Sequence, residues 1–208
     1  MFLPLIDRLR CLNGHEDTWL VASIESADER DVREGTLGCP ICSAEYAIRD
    51  GVVLFADVPP APDRAPSSDE ALRLAAALDL TDARMTAILQ GAWGANASIL
   101  RGVSPAQLLL VNPPAGVTSG DGISIVRAPV APVAAAWADA IAVDAHAAPS
   151  MVESLRASLR GGGRMLAPLD LDRPAGFEEL ARDAEVWVGQ LDPSLVTSAP
   201  IGLRRAGR

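Results

Sequence analysis

The stretch Cys11-Leu12-Asn13-Gly14-His15, answered by Cys39-Pro40-Ile41-Cys42, decides how the N-terminal third of the chain is read. It holds all three cysteines of the protein and one of its two histidines. A tetrahedral zinc ion takes four sulfur or imidazole donors, and one tight turn can supply two of them. Cys39-x-x-Cys42 is such a turn, stiffened by Pro40. Cys11-x-x-x-His15 is slightly wider, and Gly14 is free to take an unusual backbone angle beside the ligand. Three thiolates and one neutral imidazole fill all four positions and leave none for water. Cys11, His15, Cys39 and Cys42 are therefore expected to hold a structural zinc ion. A segment this short has little core of its own. Metal binding would then supply much of its folding free energy, on the order of 10 kcal/mol.

Outward from the ligands, the neighbouring residues read as short β-elements. Leu3 to Arg10 is a short apolar lead-in to the first cysteine. Trp19-Leu20-Val21-Ala22-Ser23-Ile24 reads as a strand, and Ser26 to Gly35 as a charged loop without apolar periodicity. Tyr46-Ala47-Ile48 and Val52-Val53-Leu54-Phe55 are two β-rich runs joined at Arg49-Asp50-Gly51. Asp-Gly between such runs predicts a hairpin, because the turn needs positive φ.

Cys39-Pro40-Ile41-Cys42-Ser43-Ala44-Glu45-Tyr46-Ala47-Ile48-Arg49-Asp50-Gly51-Val52-Val53-Leu54 resembles the second half of the zinc-ribbon family of methyltransferase activator subunits. The opening Leu5-Ile6-Asp7-Arg8-Leu9-Arg10-Cys11 is similar to that family's usual start. The chain departs from the pattern at the first pair, where His15 stands for the second cysteine at a longer spacing. The resemblance covers about the first 58 residues and implies a ribbon fold and a metal. The same ribbon is found fused to the N-terminus of some methyltransferases.

Residues 59–67 are dense in proline and are expected to form an extended, semi-rigid linker between a ribbon (1–58) and a second domain (68–208). Ser67 and Glu70 form a capping box, followed by Ala71, Leu74, Ala75 and Leu78 at helical spacing. A further helix is read from Thr81 through Met85, Ile88 and Leu89 to Gly91. Gln107–Val111 then stands as the first strand of an α/β domain, with Ile123–Val126 and Ala140–Val143 following. Met151, Val152, Leu155 and Leu159 mark a helix expected to end at Gly161-Gly162-Gly163. Arg164–Leu169 is a strand, Pro174 opens a helix through Phe177 and Leu180, and Val186–Leu191 is a strand. Ser198 to Arg204 could pair with it antiparallel. The unit from Ala138 to Leu166 resembles the second half of a class I methyltransferase domain. The fold class is therefore α/β: a β-rich ribbon plus a reduced Rossmann-like, methyltransferase-like domain with a mixed sheet.

The methyltransferase resemblance implies S-adenosylmethionine, held by a glycine-rich turn after the first strand and an acidic residue closing the second. Asn112-Pro113-Pro114-Ala115-Gly116 puts prolines where backbone donors are needed, and Arg127-Ala128-Pro129 follows the next strand without a carboxylate. Asn112-Pro113-Pro114 is similar to the clamp loop of amino-methyltransferases, but Ala115 stands at its aromatic position. On this reading the cofactor half-site is dismantled, no catalytic residue is assigned and S-adenosylmethionine is not expected to bind. Asp144-Ala145-His146 lies at the end of a strand and reads as a turn.

Composition narrows the remaining classes. The 18 Lys and Arg against 27 Asp and Glu give 18 − 27 = −9, and no basic run exceeds Arg204-Arg205. Direct nucleic-acid binding, which needs a basic face, is not expected. No apolar run approaches the roughly 20 residues of a membrane span. The start lacks the positive segment of a signal peptide, and three cysteines in this pattern suit a reducing cytoplasm. Two functions stand against each other. One is a non-catalytic zinc protein with a pseudo-methyltransferase domain, binding a protein partner or assembling a complex. The other is an active S-adenosylmethionine-dependent methyltransferase with an atypical cofactor loop.

Overall fold

Strand β4 (Val52–Leu54), the last of the cysteine-containing segment, pairs in parallel with β7 (Ile123–Arg127), so both parts of the chain share one sheet. The computed structural model describes residues 1–195. Before β4 lie α1 (Leu3–Ile6), β1 (Val21–Asp28), β2 (Asp31–Gly38) and β3 (Glu45–Arg49). After it come α2 (Ser68–Leu78), β5 (Thr86–Gln90), α3 (Ala97–Val103) and β6 (Gln107–Val111), then β7. The chain continues through β8 (Ala138–Ala142), α4 (Pro149–Ser158), β9 (Leu159–Pro168), β10 (Phe177–Arg182) and β11 (Val186–Leu191).

The sheet has 11 strands in the order β1-β2-β3-β4-β7-β6-β5-β8-β9-β11-β10. Strands β5 to β9 are all parallel to their neighbours among themselves. Counted from β5, the strands after β4 stand third, second, first, fourth, fifth, seventh, sixth. That is the Rossmann order with one strand, β11, inserted antiparallel beside β9. The fold is α/β with a mixed, Rossmann-like sheet.

Alternation along the central strands sends side chains to two cores. Ala87, Leu89, Leu108, Leu110, Ala140 and Ala142 point to one face, which α2 and α3 cover with Leu74, Leu78, Ala97 and Leu100. Ile88, Leu109, Val111, Ile141, Val143 and Met165 point to the other. Neither the β6–β7 nor the β7–β8 connection contains a helix to cover that second face. The N-terminal residues take the place: Met1, Leu5, Ile6 and Leu9 are buried there together with Met151 and Leu155 of α4. Backbone bonds seat this plug. Phe2 N–H donates to Ser124 Oγ at 2.9 Å, Arg10 N–H to the Pro132 carbonyl, and Ala134 N–H to the Arg8 carbonyl, the last two at 2.8 Å. The same core continues into Leu37, Tyr46, Ile48, Val53 and Phe55 of the cysteine-containing strands.

Several local expectations hold. Asp50 and Gly51 turn β3 into β4 with φ of 49° and 76°, as an Asp-Gly hairpin requires. Ser67 Oγ accepts the Glu70 N–H and starts α2, while Glu70's carboxylate turns to Asn96 and Arg64 rather than back to Ser67.

Others are corrected. The segment read as a helix to Gly91 contains β5 instead, buried at every position from Thr86 to Gln90. A run covered on both faces has no alternation, so periodicity cannot separate it from a buried helix. Gln107–Val111 is consequently the second strand of the Rossmann part. Phe177–Arg182 is strand β10, held by pairing with β11, although Phe177 and Leu180 have helical spacing. The charged residues Ser26–Gly35 belong to the β1–β2 hairpin. Helix α4 stops at Ser158, and Gly161–Gly163 lie inside β9, across a register shift between Ala138 and Ala140 of β8. The expected strand Ser198 to Arg204 falls outside the described residues.

Leu9 is fully buried where the plug meets the central sheet. Leu9→Ala is expected to cost about 3 kcal/mol. Urea unfolding followed by circular dichroism and by tryptophan fluorescence should show both parts destabilised together.

Candidate metal centre and strand-end crevice

The four sequence-predicted ligands converge. The donor atoms of Cys11, His15, Cys39 and Cys42 all lie within 4.8 Å of one another. Cys11 Sγ and Cys42 Sγ are 3.6 Å apart, and Cys39 Sγ is 3.3 Å from His15 Nε2. Zinc–sulfur bonds of 2.3 Å at tetrahedral angles place two sulfurs about 3.8 Å apart. These separations are therefore edges of a tetrahedron with room for one ion. Four protein donors leave no open position. The cluster can hold zinc.

Local structure sets each donor. Cys39 N–H bonds the Ala44 carbonyl at 2.8 Å and Ser43 N–H bonds the Cys39 carbonyl at 3.0 Å, closing the knuckle around Ser43 at φ 57°. His15 Nδ1 lies 2.7 Å from the Glu16 carbonyl. A proton on Nδ1 directs Nε2 to the metal position, and this carbonyl is the largest influence raising the His15 pKa. Cys42 is lowered to about 6, first by the Ala44 backbone N–H and then by the Asn13 side-chain amide, whose Nδ2 is 3.1 Å from Sγ. It is largely thiolate at neutral pH and needs little proton release to ligate.

Tyr46 is a participant that spacing alone does not reveal. Its hydroxyl lies 3.1 Å from Cys11 Sγ and accepts the Leu12 N–H at 3.3 Å. With the acceptor side used by Leu12, the phenolic proton points to the sulfur. Burial, followed by the bond to Cys11, pushes the Tyr46 pKa up to about 12, so that proton stays in place. The ring stacks at 4.5 Å on Phe55, tying the ligand shell to the common core.

The second feature lies at the C-terminal ends of the parallel strands, where ligands of open α/β sheets sit. A glycine turn follows β5 there: Gly91-Ala92-Trp93-Gly94. The turn after the first strand is therefore Gly91–Gly94 and not Asn112–Gly116, because β5 and not Gln107–Val111 is that first strand. Gly91 has φ of 65°, and a Cβ on it would meet Asp144 Oδ2 at 2.7 Å. Asp144, at the end of β8, occupies the turn. Its Oδ2 accepts the Ala92 N–H at 2.7 Å and its Oδ1 the His146 N–H at 2.8 Å. The Asp144 N–H in turn donates to Gln90 Oε1 at 2.9 Å. Asp144 and His146 do form a turn, and that turn also ties two strand ends together.

Asn112 stands where the second strand would offer a carboxylate. Its amide bonds Ala128 twice: Nδ2 donates to the carbonyl at 2.7 Å and Oδ1 accepts the N–H at 2.9 Å. The proline-rich segment crosses the same edge as a strap. Ala61 N–H bonds the Asn112 carbonyl, the Arg64 guanidinium lies 5.4 Å over the Trp93 ring, and Ser67 N–H bonds Asn96 Oδ1 at 2.8 Å. Asp63 and Arg64 divide the crevice into two clefts. One is floored by Ala92, Trp93 and Val143, the other by Pro114–Thr118. The turn's Ala92 N–H is thus held by Asp144, and the end of the second strand carries Asn112, bonded to Ala128, where a carboxylate was expected.

No family model matches the chain, and no curated protein matches it in sequence. Solved structures share its outline at a distance. A Methanococcus maripaludis protein assigned as an S-adenosyl-L-methionine-dependent methyltransferase is 13% identical, covering 60% of this chain and 84% of its own, with a TM-score of 0.47. The Escherichia coli protein yhhF, assigned as a methyltransferase, is 12% identical over 65% and 92%, also at 0.47. A methyltransferase from Geobacter sulfurreducens is 12% identical over 64% and 81%, at 0.42. Likeness this remote says nothing about chemistry.

Tyr46→Phe removes only the hydroxyl that faces Cys11. The purified variant is expected to keep one zinc per chain but to lose about tenfold in affinity, read by competition with a chromogenic chelator. Cys39→Ser should instead lower the zinc content itself, measured by elemental analysis.

Proposed function

We propose that the protein is a non-catalytic, zinc-binding assembly subunit with a pseudo-methyltransferase domain, and that Cys11, His15, Cys39 and Cys42 hold a structural ion. The observation that carries this reading is the occupied strand-end crevice. The glycine turn is bonded to Asp144, Asn112 is bonded to Ala128, and the proline-rich strap lies across both. Two groups that such a ligand would meet there, the Ala92 N–H and the Asn112 amide, already have partners within the chain.

The full ligand shell supports a structural rather than a reactive metal, since no coordination position is left for water. The parallel β4–β7 pairing supports a ribbon whose first client is its own chain. Division at 59–67 then separates a stabilising module from the domain it stabilises, while both contribute to one core. A protein partner remains the external role, with no nucleic acid among its ligands given the net charge of −9. Among the described residues no helix is long and apolar enough to cross a membrane.

The alternative, an active S-adenosylmethionine-dependent methyltransferase, is favoured by one observation: a Gly91-x-x-Gly94 turn ends the first strand of a Rossmann-ordered sheet. The two readings diverge in calorimetry with S-adenosylmethionine. The zinc-loaded full chain is expected to give no binding heat in the micromolar range. Clear micromolar binding, weakened by Gly91→Val, would establish the alternative instead.

A further inference from the structure

The outer edge of the sheet on the metal-site side is β1, and nothing pairs with its free side among the described residues. Edge strands are normally defended by lysine, proline or a covering element. Val21–Asp28 contains neither residue. The opposite edge, β10, is defended by charge: Glu179 is bonded to both Arg173 and Arg182. On β1 the two bulges between Ile24 and Ala27 twist only the distal half, leaving Val21 to Ile24 in regular register beside β2, while Trp19 just before them bridges Arg10.

The side chains on this edge are of the binding kind. Leu20 is buried at 4% exposure, while Trp19 and Val21 on either side of it are exposed at 64% and 56%. They project on the face of the sheet that α2 and α3 cover only over the Rossmann strands. Across from Val21 stands Gly38, and across from Ser23 stands Thr36, so the face beside the edge is low and open. Ile24, at 44% exposure, lies on the reverse side.

Charge specifies the occupant. From Cys11 through Glu29 the chain carries Glu16, Asp17, Glu25, Asp28 and Glu29, and no lysine or arginine. Of these, Asp17 pairs with Arg10 and Asp28 lies 3.9 Å from Arg33; the others have no ion-pair partner among the described residues. A second copy would bring the same acidic edge against this one.

We propose that β1 is a docking edge for an extended segment of a partner protein, with apolar side chains alternating with lysine or arginine. The segment would add a further strand beside Val21–Ile24. Its backbone bonds supply affinity, its apolar residues pack on Trp19 and Val21, and its cations meet the unpaired carboxylates. This deepens the assembly role proposed above but stands apart from the cofactor question, because titration with S-adenosylmethionine does not touch this edge.

The probe is a synthetic peptide alternating lysine and valine, titrated into the zinc-loaded full chain, with a glutamate–valine peptide as its counterpart. The lysine peptide is expected to bind at least about tenfold more tightly, to weaken as salt is raised, and to slow amide exchange over Val21–Ile24. Val21→Lys and Ser23→Lys change exposed positions only, and zinc content reports that the fold is intact. Each is expected to weaken the lysine peptide about tenfold. Equal binding of both peptides, or binding indifferent to both substitutions, would overturn the proposal. So would self-association of the free chain that Val21→Lys abolishes, since the edge would then belong to a second copy.

Discussion

Three residue pairs, Val52↔Ile125, Val53↔Val126 and Leu54↔Arg127, carry the dependence of one half of the molecule on the other. Without them β7 would be the open edge of a parallel sheet, a position that calls for burial on both sides. Strand β4 supplies the missing neighbour, yet it is only three residues long and cannot stand alone. It is held by β3 across the Asp50–Gly51 turn, and β3 by β2. The candidate metal ligands stand at the ends of this stack: Cys39 and Cys42 follow β2, and Cys11 ends the plug. An ion held there would act at a distance, by fixing the strand that closes the Rossmann edge.

The plug is the second half of the same constraint. Parallel strands ordinarily carry crossover helices that cover their faces. Here β6–β7 and β7–β8 are joined by loops, and the uncovered face of Leu109, Val111 and Val126 is filled by Met1, Leu5, Ile6 and Leu9. Those residues reach it from the far end of the sequence, over a separation of 122 residues in the Phe2–Ser124 bond. Cys11 lies just beyond Leu9 and Arg10, so closing the metal site also pins the plug. Contacts this distant in sequence close large loops, which slows folding relative to local pairing. Metal binding before the plug docks would shorten the last search.

The convergence of Cys11, His15, Cys39 and Cys42 was readable in the sequence because a donor cluster depends on residue type and spacing, which a sequence displays directly. Asp50-Gly51 was readable for the same reason, as a local backbone demand. The glycine turn at Gly91 was not. Its meaning depends on β5 being a strand, and Thr86–Gln90 shows no alternation because both faces are buried. Nor could β10 be told from a helix, since only its partner β11 decides between the two periods. Tyr46 beside Cys11 and Asp144 beside Ala92 are bonds over 35 and 52 residues. Such pairs are set by topology, and topology rested on the strand that composition concealed.

Asp144 is the group that a ligand entering the crevice would have to displace. Its two oxygens hold the Ala92 and His146 N–H groups, and its own N–H holds Gln90. An incoming anion that took the Ala92 donor would strand a carboxylate that is 10% exposed, beside its own negative charge. Leaving such a group unsatisfied costs roughly 1–3 kcal/mol, and more for a charge. Lifting the strap would add the loss of the Arg64–Trp93 contact and of the Ser67–Asn96 bond. A ligand must offset all of these before its own contacts count, whereas the bare edge of β1 asks nothing to be displaced but water. That energetic asymmetry is what separates the proposed docking edge, at the metal-site end of the sheet, from the crevice at the strand ends.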